Sequence, residues 1–202
     1  MTGRGSPLGT QFFARDTVRV ARDLLGCVLE SAIDGAIVAG RIVEVEAYVG
    51  SHDPADHGYG NRQTPRNRSL FGPPGTIYVF RSYGVHWCGN AVTDRAGVPT
   101  AVLIRALEPV RGLDVMAERR GVADARLACS GPGRLCQALG ITGAHDGLSL
   151  VGGPLRVLRR KDGTKRRILV GPRIGISHAK DWPLRFCLPE RRWLSRPPVA
   201  SG

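Results

Sequence analysis

The chain has 202 residues, 42% of them apolar and 23% charged, enough to bury a core and too apolar for an intrinsically disordered chain. Its charge is lopsided, with 29 Lys and Arg against 17 Asp and Glu, a formal net +12. All but three of the basic residues (Lys161, Lys165 and Lys180) are arginines, whose planar forks suit phosphates, so nucleic acid is the partner the composition favours.

Residues 1–10 and 197–202 are expected to lack fixed structure, leaving one domain over 11–196. The N-terminus "MTGRGSPLGTQFF" has no apolar stretch of the kind a signal peptide needs, and no run is long enough to span a bilayer. "DTVRVARDLLG" reads as a short helix capped by Asp16 or Thr17 and ended by Gly26. "CVLESAIDGAIVAGRIVEVEAYVG" reads as a hairpin or meander turning at Asp34-Gly35. Residues 50–75, poor in apolar residues and rich in Gly, Pro, Asp, Asn and Arg, read as a long irregular loop, a length that usually serves function. "TIYVFRSY" and "VHWCGNAVT" are strands either side of Tyr83-Gly84, and "TAVLIRALEP" is a third. "GLDVMAERRG" and "SGPGRLCQALG" are helices, the second with Pro132 in its first turn and Gly140 at its end. Further strands follow in "GPLRVLRR", "RRILVGPRIGIS" and "PLRFCLP", with a turn at Asp162-Gly163. The sum is an α+β fold: a single mixed domain round a curved antiparallel sheet, with flanking helices and a protruding β-hairpin.

Cys27, Cys88, Cys129, Cys136 and Cys187 form no CxxC pair. That argues against a disulfide framework and a zinc site, and fits a reducing, cytoplasmic compartment.

In "RIVEVEAYVG" the period of two places Ile42, Glu44, Glu46 and Tyr48 on one strand face and Val43, Val45, Ala47 and Val49 on the other. The plain interpretation is an amphipathic strand with a solvated polar face. Against it stands the loop that follows, which gathers His52, Asp53, Asp56, His57 and the arginines of 62–68 near one strand end. Three chemistries could use that set. The order H-D-x-x-D-H matches no established metal-ligand pattern, so no metal is expected. A Schiff-base lyase needs a pocket lysine, and the three lysines fall late in the chain. General-base activation of water needs only one held carboxylate in a dry pocket.

The blocks "VEVEAYVG", "DPADHGYGNRQTPRNRSLFGPPGTIYVF", "SYGVHWCGN", "VLIRALEP", "CSGPGRLCQALGI" and "RIGISHAKDWPLRF" resemble, in order, those of the alkyladenine (3-methyladenine) DNA glycosylase family. The resemblance implies a metal- and cofactor-free monomer that excises alkylated or deaminated purines from double-stranded DNA. It implies that Glu46 activates water and that Arg105 assists and holds a phosphate. Tyr48, His57, Phe80 and Asn90 would contact the base. Tyr83 would wedge into the vacated stack, with Arg62, Thr64, Arg66, Arg105 and Ser177 on the DNA. Phe80 stands where the animal enzymes carry tyrosine, and Ser82 where they carry an aliphatic residue.

Elementary chemistry agrees with that assignment. A base in a duplex hides its glycosylic bond, so the enzyme must extrude it and fill the gap, and aromatic faces must receive it. A non-catalytic basic DNA- or RNA-binding protein, or a metal-dependent nuclease built on 52–57, are the rival classes. A buried-motif glutamate beside a phosphate-binding face disfavours the first.

Overall fold

The structure, a computed structural model, describes residues 5–160 and 166–197. The expected Asp162-Gly163 turn, Lys161, Lys165 and the outermost terminal residues lie outside the described residues.

The chain opens with two short helices, α1 (Thr10–Phe13) and α2 (Thr17–Leu24). Asp16 caps α2 by accepting from the Arg19 amide at 2.8 Å, and Val20, Ala21 and Leu24 bury its apolar stripe. Residues 5–10 are more ordered than their composition suggests. Pro7 bridges to Leu158, and Leu8 is fully buried, because an apolar residue beside an open strand edge gains more by packing than by staying solvated.

Strands β1 (Val28–Ser31) and β2 (Val38–Tyr48) follow, joined through Asp34 and Gly35, both with positive φ. Next come β3 (Ile77–Ser82), β4 (His86–Val92) and β5 (Ala101–Arg111). Three helices succeed them: α3 (Leu113–Arg120), the unforeseen four-residue α4 (Ala125–Ala128) and α5 (Pro132–Leu139). The chain closes on β6 (Leu155–Leu158), β7 (Leu169–Gly171) and β8 (Arg185–Cys187). All eight strands form one open antiparallel sheet in the order β3-β4-β5-β2-β1-β6, with β8 alongside β2 and β7 alongside β8.

Strand β2 is the spine. Along one edge it pairs with β5, and along the other with β1 at residues 38–41 and β8 at 44–46. Its even and odd residues therefore serve two buried faces. Val43, Val45 and Ala47 join Val102, Ile104, Ala91, Ile77 and Val79 in the main core, against Leu24, Leu135 and Leu139 of the helices. The opposite face is not solvated, contrary to the plain amphipathic expectation: Glu44 and Glu46 are 0% exposed. Period two tells which residues share a face, but β8 and the segment after it, far along the chain, decide whether that face meets water. The five cysteines are free and buried. No helix among the described residues is long and apolar enough to cross a membrane.

Candidate active site

The second face of the sheet carries the chemistry. Cross-strand pairs run Tyr78↔Asn90, Asn90↔Leu103, Leu103↔Glu46 and Glu46↔Arg185. One line across β3, β4, β5, β2 and β8 thus sets an aromatic, an amide, an aliphatic, an acid and a guanidinium side by side, at roughly the 4.8 Å inter-strand spacing. Phe80 opposite Cys88 and Tyr48 opposite Ala101 extend the same face. Where β2 meets β5 the register passes from Glu44↔Ala106 to Val45↔Ile104, skipping Arg105. Such an irregularity re-aims a side chain, and Arg105 is buried with its guanidinium against both glutamates.

Above this face lies a cavity of about 420 Å³. Its walls include Tyr48, His57, Tyr78, Phe80, Asn90 and Arg105, with Tyr83 at its margin. Tyr78 and Phe80 stack at 5.6 Å between centroids, and the His57 ring meets Phe80 edge-on at 4.5 Å. His57 Nδ1 lies 2.7 Å from the Tyr78 hydroxyl, and burial lowers its pKa. Asn90 donates to the Tyr78 carbonyl at 3.1 Å, which fixes the amide orientation in the wall.

Glu46 sits directly behind this wall. Its Oε2 accepts from the Tyr48 hydroxyl at 3.1 Å and Arg105 Nη1 at 3.2 Å, and its Oε1 from the Ile174 amide at 2.7 Å. Burial raises its pKa, held back by Arg105, the Ile174 amide and the Tyr48 hydroxyl. A carboxylate offers about four acceptor positions, so one on Glu46 remains for water. Glu44 takes four donors, three on Oε1 and one on Oε2. It accepts from Arg105 Nε at 3.0 Å, Arg185 Nε at 2.8 Å, the Ser195 hydroxyl at 2.7 Å and the Ser195 amide at 2.6 Å. Of the two acids in the strand, Glu44 is tied to Arg105, Arg185 and Ser195, whereas Glu46 bonds to Tyr48, Ile174 and Arg105, which all line the cavity.

The 50–75 loop is held as firmly as a strand. Asp53 takes a bidentate pair from Arg173, at 2.5 and 2.8 Å, both side chains fully enclosed. The Arg173 guanidinium also lies 4.6 Å from the centre of the Tyr48 ring. Asn67 Oδ1 accepts from the Thr64 amide at 2.6 Å, and its Nδ2 donates to the carbonyls of His57 and Arg62, each at 2.9 Å. Arg62 and Arg66 are exposed on this loop, Thr64 is half-buried, and Ser177 is exposed on the segment after Ile174. Arg62, Thr64 and Arg66 line a second groove that shares His57, Tyr78 and Phe80 with the first. His52 faces a separate groove beside Trp182, and no metal-binding group of three or more His, Cys, Asp or Glu forms among the described residues.

Tyr83 stands at the tip of the β3–β4 hairpin, 86% exposed, with φ of 49° followed by Gly84 at 68°. A bulky residue with left-handed backbone is rare and costs strain, which marks a position held for use. The hairpin tip, Tyr48, His57, Phe80, Asn90 and Arg105 thus line one cavity, and Glu46 bonds to Tyr48 and Arg105 of its wall. Arg105, expected on a phosphate, lines the cavity with its guanidinium against Glu44 and Glu46. Sequence reasoning assigned no role to Tyr78, the Ile174 amide, Arg173 or Ser195. Tyr78 alone left a signal there, sharing a strand face with Phe80.

Residues 11–192 match the model of the family described as methylpurine-DNA glycosylase. A Rhodopseudomonas palustris (strain HaA2) protein named "Putative 3-methyladenine DNA glycosylase" is 52% identical over 96% of this chain and 92% of its own length. Proteins of the same name from Nitrobacter winogradskyi, 50% identical over 98% of this chain and 91% of its own length, and from Methanoculleus marisnigri, 50% identical over 94% of this chain and 98% of its own length, are similar throughout.

Proposed function

The chain belongs to the methylpurine-DNA glycosylase family, and from that premise we propose that it removes alkylated purines from duplex DNA, with Glu46 activating the attacking water. The observation that carries this is the arrangement of Glu46. It is an enclosed carboxylate with one acceptor position unfilled, directly behind an aromatic cavity, with an exposed tyrosine at the margin.

The lesion nucleotide swings out of the stack, Tyr83 takes its place, and the base enters between Tyr48, His57 and Phe80. Stacking there is worth roughly 1–3 kcal/mol per base, against an unstacking cost of a few kcal/mol. Water donates its proton to Glu46 as its oxygen bonds to the sugar C1′. The bond from C1′ to the purine nitrogen breaks, and its electron pair neutralises the charge that alkylation placed on the ring. The Glu46 anion also stabilises the oxocarbenium-like sugar. Arg105 keeps Glu46 ionised and oriented. Among the described residues no lysine lines the cavity, which favours water over an amine and leaves an unopened abasic site. Asn90 in the wall crowds the exocyclic amine of guanine. 3-Methyladenine and hypoxanthine lack that amine; 7-methylguanine keeps it and is a substrate through its positive charge, which weakens the glycosylic bond, while neutral hypoxanthine leaves with a proton taken from solvent. The scheme needs neither cofactor nor second subunit, and we read the protein as a monomer acting on the genome in the cytoplasm. Chromatography of bases released from methylated duplex DNA tests it. 3-Methyladenine and 7-methylguanine are expected in the free-base fraction, and release of neither would remove the assignment.

Tyr83→Ala should slow excision from fully paired duplex, and slow it less where the lesion is mismatched and already loosely held. A fluorescent reporter base beside the lesion follows extrusion directly. Equal behaviour to wild type in both duplexes would make the tyrosine a mere turn residue.

DNA affinity should fall steeply with salt, because backbone contacts release counterions. Arg62→Ala and Arg66→Ala should each flatten the log–log salt slope by about one unit, on damaged and undamaged duplex alike. The enclosed Arg105 is unsuited to that test, since its loss strands two buried acids.

A further inference from the structure

The ionised groups around the cavity do not balance. Glu44 and Glu46 are matched by Arg105 and Arg185, and Asp53 by Arg173. Asp56 lines the cavity, is 6% exposed, and has no ion-pair partner among the described residues. Its oxygens are held by neutral donors alone, the Gly50 amide at 3.1 Å on Oδ2 and the Gly58 amide at 2.7 Å on Oδ1. Each oxygen keeps an acceptor position beyond these bonds. The carboxylate is close enough to the Tyr78 hydroxyl, itself in the wall, to disfavour its ionisation. The remaining charged groups of the lining are Arg81, exposed with its guanidinium 5.5 Å from the Trp87 ring centre, and the matched Arg105. In a protein of net charge +12, the buried charge at the cavity with no ion-pair partner among the described residues is negative, with Arg173, paired to Asp53, near enough to favour it only weakly.

Resting on the glycosylase assignment above, we propose that Asp56 is a specificity-determining residue, its carboxylate selecting purines that carry positive charge over neutral ones. A ring alkylated at N3 or N7 is cationic, while hypoxanthine is neutral. The cation gains from an unmatched anion in an enclosed site and from the faces of Tyr48, Tyr78 and Phe80. The neutral base gains from the faces only. Burial pushes the Asp56 carboxyl up to about 6, so it is mainly the anion at neutral pH. The two amide bonds alone would make Asp56 a loop cap, and a cap acts on both classes of base equally.

The test is the ratio of single-turnover excision rates on duplexes carrying 7-methylguanine or hypoxanthine, measured on one preparation of each protein so that the folded fraction cancels. Asp56→Asn should lower the 7-methylguanine to hypoxanthine ratio by about tenfold or more, the size of effect a nearby opposite charge exerts. Asp56→Ser, whose hydroxyl can still accept from Gly58, should shift it the same way. Both rates falling together, with the ratio unchanged in both variants, would overturn the proposal and leave Asp56 a cap. Release of neither base by the wild-type protein is a different outcome, which sinks the glycosylase assignment and this inference with it.

Discussion

Glu46→Gln should abolish base release while leaving binding to damaged duplex intact or tighter. The change is nearly isosteric and keeps the Ile174 and Tyr48 contacts, but it removes the group that takes the proton from water. General-base contributions of about 10²–10⁴-fold set the minimum loss. Removing a negative charge beside a phosphate-binding face also favours DNA. The matching control is Glu44→Gln. Glu44 is fully buried and holds two arginines and Ser195, so that variant should melt earlier, yet its folded fraction should still excise. Near-normal excision by Glu46→Gln together with an inactive, well-folded Glu44→Gln would transfer the role to the other acid. In the wild type the basic form of Glu46 does the work and burial raises its pKa. Excision should therefore fall as pH drops, with the acidic limb centred above the ordinary glutamate value, and a limb at or below that value would contradict the enclosed position.

The second large effect is on stability. Arg173→Ala should destabilise the fold by about 3–5 kcal/mol, because it leaves the fully enclosed Asp53 without its partner. The loss should show in denaturant midpoints and also in catalysis. Arg173 touches the Tyr48 ring and the Ala47 carbonyl, and the residue after it supplies the Ile174 amide to Glu46. Burial raises the Asp53 pKa, but the Arg173 bonds and the amides of Ala55 and Val49 outweigh it, for a net lowering. The stability from this pair is therefore present above the ordinary aspartate pKa and lost as pH falls through the lowered one. A variant with unchanged midpoint would show that the pair is replaceable by the surrounding packing.

Much of the architecture was legible from local signals. Asp34-Gly35 and Tyr83-Gly84 announced turns, and both dipeptides adopt positive φ. The alternation in β2 placed Ile42, Glu44, Glu46 and Tyr48 on one face; Glu46 and Tyr48 bond to each other there and Arg105 joins Glu44 to Glu46, but Ile42, across a register shift, packs in the main core. Pro132 and Gly140 bracket α5 as written. What resisted was long-range. Asp53 and Arg173 are 120 residues apart, as their bond records, and nothing near either residue announces the other. Whether the glutamate face met water depended on β8 and on Ser195, and no property of β2 itself encodes their arrival. Leu8 looked like part of a Gly-Pro tail because its partner, the β6 edge, is some 150 residues away. The odd blocks drew attention to this region, "RQTPRNR" above all, of which Arg62 and Arg66 line the groove beside the cavity while Asn67 ties the loop together.

The most direct test of the central claim uses a duplex with a single 7-methylguanine, incubated in EDTA with wild type or Glu46→Gln and analysed before and after alkali. Wild type should leave the strand intact until alkali cuts it at the lesion, and Glu46→Gln should leave it intact throughout while still retarding the duplex on a gel. Strand scission by the wild type before alkali, or an alkali-labile site of wild-type yield with Glu46→Gln, would contradict hydrolysis by Glu46-activated water.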